Sequence, residues 1–415
     1  MEASLRAIFR SGFDHYKKDH GLSLDQHRAA QAIMACQSEE LGHEEWLCRD
    51  DGHVEMEYHS CRHRSCPRCN NGLTHDWLEK IQARLLPGNH YHVVFTLPHE
   101  LNALWHYNRA WCTDRLFKAA SETLRQLLAD ERYLGAEPGI LASLHTWGRT
   151  LSFHPHIHML VIGGGLNAKG DWEAARRDFL LPVGVLKAKF RGKWLSWLNE
   201  AYAEGALKLP PDWSERDWKK ALTRVAKKNW NVHIQGGYRH GDGVAIYLSR
   251  YVRGGPINDR RLISSDQKGV RFRYQDHRDG KSKVMALSES NFISRVLSHV
   301  PVKGRHLVRY YGLYVSGASE KRETARKALG AEPESAYEVD KKVRCCPECG
   351  RQLSHFRSTR GKNSYIGNTQ VISAYGAGVQ QDVEFDRASS LGQFRPDIER
   401  PPAWSFFGVP GGELT

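Results

Sequence analysis

The sequence reads as an α+β protein carrying a small helical, metal-binding module at its N-terminus. Three observations lead to that class. The run LSFHPHIHMLVIGGG, Leu151 to Gly165, has the alternation of a strand, where residues two apart share a face. Segments on both sides of it repeat apolar residues every three or four positions, as helices with one buried face do. The nine cysteines are odd in number and concentrated near the N-terminus and near residue 345, which points to metal in a reducing compartment rather than to disulfides.

The elements follow in chain order. Residues 1 to about 36 read as helical, with Leu5, Ile8, Phe9 and Phe13 on one side of the first helix. The first cysteine group occupies 36 to 71. A linking helix from Leu73 stops at Pro87-Gly88, and HYHVVFTLPHEL opens with a strand from His90 to Leu97. Two helices follow between Ala103 and Leu134, then the histidine strand. Residues 172 to 208 and 214 to 228 read as an inserted helical pair ahead of a strand from Asn231 to Gln235. GVAIYLSRYVRGGP reads as a helix ended by Gly254-Gly255-Pro256, since glycine and proline commonly close helices. Val270 to Asp276 alternates as a strand, Ser288 to Val300 as a helix, and Arg305 to Tyr314 is short and aromatic. After about residue 375 the Gly/Pro/Ser-rich chain reads as a poorly ordered tail.

A formal net charge of +13 favours polyanionic partners, with salt-dependent binding through counterion release. Twelve Trp, sixteen Tyr and fourteen Phe supply surfaces on which single-stranded bases can stack. There is no apolar signal core and no run approaching the roughly 20 residues of a membrane span; a cytoplasmic protein is expected. No Gly-x-x-x-x-Gly-Lys-Ser/Thr loop occurs, so unwinding would fall to other factors.

His156 and His158 project from one face of their strand, about 7 Å apart along it, a natural pair of metal ligands. His154 shares that face, while Phe153, Ile157, Met159 and Val161 form the apolar side. Tyr247 and Tyr251 stand four residues apart and so neighbour each other on one helical surface. Cys66-Pro-Arg-Cys69 is a turn that lets two thiolates meet one zinc. Cys48 and Asp51 have the spacing of an opposing knuckle, with Asp where a thiolate is usual. Cys61, His53, or Cys36 with His43 are the alternatives to Asp51 for that place. Cys345-Cys346-Pro-Glu-Cys349 is half a site, with His355 its nearest spare ligand. Cys112 reads as an inert buried thiol.

In SCRHRSCPRC, HVVFTLPHEL, LHTWGRTLSFHPHIHMLV, YLSRYVRGGPI, FRYQDHRDG and RYYGLY, in that order, the chain resembles the two-tyrosine HUH transposases of rolling-circle insertion sequences. It departs from them at Asp51, where relatives usually carry Cys, and at Ser65, where many carry His. The resemblance implies an HUH-type antiparallel sheet with flanking helices, with Phe95-Thr96-Leu97 beside the histidine strand. It implies Mg²⁺ or Mn²⁺ on His156 and His158, with His145 the preferred third ligand over His154 and Gln235, and structural Zn²⁺ on Cys48, Cys61, Cys66 and Cys69. Tyr247 and Tyr251 become nucleophiles that form 5′-phosphotyrosine bonds. Arg250, Arg253 and Thr96 become DNA contacts. The implied partners are single-stranded DNA at element ends, target DNA, and host replication or helicase factors, with no membrane. The implied location is cytoplasmic, at the nucleoid. The expected division is a recognition module over 1–86, a nuclease over 87–316 with its insertion near 172–228, and an extension over 317–415. A replication initiator or relaxase would share the chemistry. A non-catalytic zinc-dependent DNA-binding protein would leave the histidines and tyrosines unused.

Overall fold

The computed structural model describes residues 3–176, 180–238, 243, 255–276, 278–334 and 343–361. The expected tyrosine helix, with Arg250 and Arg253, and the expected tail after 375 lie outside the described residues. Among those described, the helices are α1 (Leu5–Asp19), α2 (Leu24–Ala35), α3 (Asn70–Arg84), α4 (Asn102–Tyr107), α5 (Arg109–Leu128), α6 (Val183–Ala203), α7 (Glu215–Lys227), α8 (Glu289–Ser298) and α9 (Ser319–Ala328). The strands are β1 (His43–Leu47), β2 (Val54–Tyr58), β3 (His90–Thr96), β4 (Gly139–Trp147), β5 (Phe153–Ile162), β6 (Gly164–Leu166), β7 (Trp172–Ala174), β8 (Asn231–Tyr238), β9 (Leu262–Asp266), β10 (Gly269–Gln275), β11 (Ser282–Leu287), β12 (Val308–Gly312) and β13 (Ser354–Ser358). No described helix is long and apolar enough to cross a membrane.

The central sheet has the order β12-β4-β5-β3-β8, and every neighbouring pair is antiparallel. The histidine strand β5 therefore sits in the middle. One face is apolar throughout: Phe95, Ile157, Met159, Val161, Ile140, Ala142 and Leu144 pack with residues of α5 and α6 in the largest core. Phe190 meets Phe95 at 4.9 Å and Trp230 at 5.3 Å. The edge-to-face contact with Phe95 fixes α6 against the strands. The other face is apolar only at its His90 end, where Leu141, Leu160, Ile162 and Tyr314 meet Trp77 and Ile81 of α3 and its C-cap Leu85. Arg326 holds that packing by donating to the Ala83 and Leu85 carbonyls at 2.7 and 2.9 Å, a cation at a helix C-terminus.

A second core joins the N-terminus to the residues after the tyrosine segment. Leu5, Ile8, Phe9 and Phe13 of α1 are all buried, and they pack with Ile33 of α2, Phe272 of β10, and Phe292, Ile293 and Leu297 of α8. Asp259 accepts a hydrogen bond from the Leu5 amide at 2.8 Å, placing a carboxylate at the positive end of α1. Ser23 and Gln26 close a capping box on α2. Residues 257–300 thus share a core with the N-terminal helices, although the sequence groups them with the nuclease.

Two elements differ from expectation. Residues 172–174, read as helical, form β7 and pair with β6. The apolar stretch GILASL, which has no strand-like alternation, is part of β4. It is buried on both faces, and a strand so placed shows no alternation.

The buried histidines make stability pH-dependent. His90 is fully enclosed, bonded to the Tyr314 hydroxyl at 2.6 Å and to the Gly88 carbonyl at 3.0 Å. His299 lies between Thr146 and the Leu151 carbonyl. Burial lowers both to about 4, from 6.5. The unfolded chain takes up these protons first, so this stabilisation is complete above about pH 6.5 and is lost as pH falls towards 4. Each histidine contributes about 3 kcal/mol. Melting temperature is expected to drop steadily across that window, and His299→Gln should flatten the profile.

Candidate active site and metal centres

The register of the sheet assembles the first centre. His156 on β5 pairs with His145 on β4 and with Thr96 on β3, and Thr96 pairs with Asn231 on β8. One row further along, His158 lies between Ser143 and Val94. All of these residues point to the face that α5 and α6 do not cover. His145, His156 and His158 each offer a ring nitrogen, and the three atoms lie within 4.8 Å of one another. His154 shares the face but is exposed and is not one of the three. Gln235 lies two rows beyond His156, opposite His92.

The hydrogen bonds select which nitrogens are available. The Nδ1 atom of His156 lies 2.6 Å from the His154 carbonyl, an acceptor, so this nitrogen carries the proton and Nε2 keeps its lone pair. The Nδ1 atom of His158 lies 2.8 Å from Nε2 of His92, again leaving Nε2 to ligate. Burial holds His156 down at about 3 and His158 well below the usual imidazole range, with neighbouring histidines adding to both shifts. The imidazoles are therefore neutral at physiological pH, the form that binds metal. These residues fit a divalent cation held by three nitrogens with positions left open.

His92 escapes a reading of the sequence alone. Alternation in HYHVVFT puts His90, His92 and Thr96 on one face, but only the strand register shows that His92 lies diagonally beside His158. Its ring stacks on that of His158 at 5.0 Å. Thr96 is buried next to His156.

The cysteines form two groups, partitioned differently from the expected set. Cys61, Cys66 and Cys69 are joined by Cys36, which caps the C-terminus of α2. Cys69 lies 3.6 Å from Cys36 and 3.4 Å from Cys61, sulfur to sulfur. Four thiolates around tetrahedral zinc at 2.3 Å stand about 3.8 Å apart, so a small expansion accommodates the ion. Cys48, expected in this shell, is elsewhere: β1 carries it away from the Cys66 turn to meet the C-terminal hairpin, residues 343–361, closed by the Cys345–Gln352 bridge. With it goes Asp51, and Cys346 and Cys349 complete that second group. Neither His43 nor His355 joins a thiol group; they bind Glu45 and Glu44. Cys112 is buried in the main core, where burial raises its pKa.

Comparison with known proteins identifies these parts. Residues 8–97 match the family model described as "Transposase zinc-binding domain", and residues 139–322 match the one described as "Putative transposase". The chain is 40% identical over 312 residues to "Putative transposase y4qJ" of Sinorhizobium fredii, covering 74% of this chain and 78% of that protein. It is 31% identical over 309 residues to the transposase for insertion sequence element IS801 of Pseudomonas savastanoi pv. phaseolicola, covering 72% of each. The chain belongs to this family of insertion-sequence transposases. Within the transposase, the four-thiol group falls inside the zinc-binding domain and has the donors of a closed structural zinc site. The three histidines fall inside the second match. Among solved structures, conjugative relaxase TrwC in complex with oriT DNA is similar at 15% identity, over 39% of the transposase and 68% of that chain, with a TM-score of 0.21.

Proposed function

We propose that this transposase nicks and rejoins single-stranded DNA at the ends of its element through a transient 5′-phosphotyrosine bond. The observation that carries this reading is the convergence of the His145, His156 and His158 nitrogens on the sheet face away from α5 and α6. An ordinary structural site would close its shell, whereas three histidine ligands leave room for a phosphate oxygen. Mg²⁺ or Mn²⁺ held there would polarise the scissile phosphate and offset charge as it develops. His156 and His158 orient that centre through bonds fixed by the His154 carbonyl and by His92. Thr96, next to His156, is the proposed contact to the DNA backbone once a strand enters the site.

Tyr247 and Tyr251 are the proposed nucleophiles. A tyrosine with an ordinary pKa of about 10 is mostly protonated at neutral pH. Arg250 and Arg253 would favour the phenolate, grip flanking phosphates, or both. The phenolate oxygen attacks phosphorus, the bond from phosphorus to the 3′ oxygen breaks, and that oxygen leaves as a hydroxyl after taking a proton. One phosphate ester replaces another, so attack by a free 3′-hydroxyl reverses the step without ATP. Two tyrosines allow two DNA ends to be held in turn. Target DNA and host replication or helicase factors are the further partners of this reading.

His92 should act as a positioning residue. His92→Ala is expected to weaken Mn²⁺ binding by about 10–100-fold, the usual effect of removing an outer-shell partner. His92→Gln should recover part of it by restoring a hydrogen-bonding group. Calorimetric titration with Mn²⁺ reads both, and an unchanged affinity in the alanine variant would remove His92 from the site. The overall function is tested by incubating the protein with a single-stranded element end and Mn²⁺, then looking for protein-linked DNA; its absence, with tight binding retained, would leave only a DNA-binding protein.

A further inference from the structure

We infer that Cys48, Asp51, Cys346 and Cys349 form a second zinc site, which clamps the C-terminal hairpin to the N-terminal module. Half of it lies outside both matched regions, which end at residues 97 and 322.

The two halves have the same backbone construction. In the first, the Cys48 amide donates to the His53 carbonyl and the Gly52 amide donates back to the Cys48 carbonyl, at 2.8 and 3.0 Å. In the second, the Cys346 amide donates to the Arg351 carbonyl and the Gly350 amide to the Cys346 carbonyl, at 2.6 and 2.9 Å. Gly52 and Gly350 have positive φ of 76° and 74°, a conformation that glycine adopts without a Cβ penalty. Two matched knuckles facing each other are the architecture of a zinc ribbon. Here the halves come from segments 301 residues apart, as measured from Cys48 to Cys349.

The donors converge as that architecture requires. Sγ of Cys48 lies 3.5 Å from Sγ of Cys349, and Sγ of Cys346 lies 3.2 Å from Oδ2 of Asp51. All four ligand atoms are within 4.8 Å of one another. The other carboxylate oxygen of Asp51 accepts from the His53 amide at 2.9 Å, which aims Oδ2 at the thiols. Zinc accepts carboxylate oxygen, and three thiolates disfavour Mg²⁺ and Ca²⁺. Cys345 is not part of the site; it is exposed and its backbone pairs with Gln352.

The surrounding structure has little else to hold it. β13 adds to the edge of β1, and among the described residues the local core is Trp46, Cys48, Cys346 and Leu353. Arg344 lies over the Trp46 ring at 4.4 Å and pairs with Glu57 at 2.5 Å. Arg351 pairs with Asp50, and Arg357 with Glu45. The exposed Arg351–Asp50 pair contributes little, and so small a core needs a metal staple.

The test is zinc content of the purified, desalted full-length protein, measured by mass spectrometry of the element. It is run in a His156→Ala/His158→Ala background, so that zinc on the histidines is not counted. Two zinc ions per chain are expected, falling to one in Cys346→Ser/Cys349→Ser. Asp51→Cys should keep two and release the second more slowly to a chelator. Limited proteolysis should cut residues 343–361 readily in the double-serine variant and leave α1 and α2 intact. One zinc in the parent, or two in the double-serine variant, would overturn the inference. So would a Cys48–Cys349 disulfide, seen as two thiols resistant to alkylation without reductant.

Discussion

His156→Ala should abolish metal-dependent nicking while leaving a folded protein that still binds single-stranded DNA. The side chain is only half-buried, and its one fixed bond is to the neighbouring His154 carbonyl. Losing it removes no core contact and frees a carbonyl at an exposed residue. What it does remove is a ligand from the centre of the His145–His156–His158 set. Lewis-acid activation of a phosphate contributes several kcal/mol, so a loss of about 4 kcal/mol corresponds to a rate lower by about 10³-fold. His158→Ala should match it in nicking but melt lower, because His158 is buried against His92. Gel assays with a labelled element end, run beside thermal melts and binding isotherms, separate the two effects. Nicking at the parental rate in His156→Ala would remove the metal role.

The second large effect concerns the nucleophiles. Phenylalanine keeps the ring of tyrosine and removes only the attacking oxygen, so the double variant Tyr247→Phe/Tyr251→Phe should form no covalent DNA adduct, whatever the metal or time. The single variants should differ from each other, one failing to open the donor strand and the other opening it but failing to transfer it. This asymmetry is expected because two DNA ends must be held in succession. Denaturing gels that trap protein-linked DNA, together with a strand-transfer assay, distinguish these outcomes. Adduct formation by the double variant would show that another side chain attacks.

Much of this site is legible from residue order, and the reasons for what is not are physical. The alternation around His154-Pro-His-Ile-His158 fixes which side chains share a face, and β5 bears it out. α1 could be drawn residue by residue, since Leu5, Ile8, Phe9 and Phe13 follow the helical period. By contrast, β4 carries no alternating pattern because both of its faces are buried, so the strand holding His145 has to be found through its pairing partner. The partnership of His92 with His158 depends on register between strands 66 residues apart, which periodicity within one strand cannot carry. The cysteines show the same limit. Spacing identifies each Cys-x-x-Cys or Cys-x-x-Asp knuckle, because a knuckle is local. Which knuckles face each other is decided by the fold: Cys36 reaches Cys66 through the end of α2, and Cys346 reaches Cys48 across the β1–β13 pairing.

The most direct measurement is to react the protein with a single-stranded element end in Mn²⁺, digest the complex, and map the modified peptide by mass spectrometry. The account predicts a 5′-phosphate ester on Tyr247 or Tyr251, absent without divalent metal and absent in His156→Ala/His158→Ala. An adduct on a different residue, or one formed equally well by the histidine variant, would contradict it.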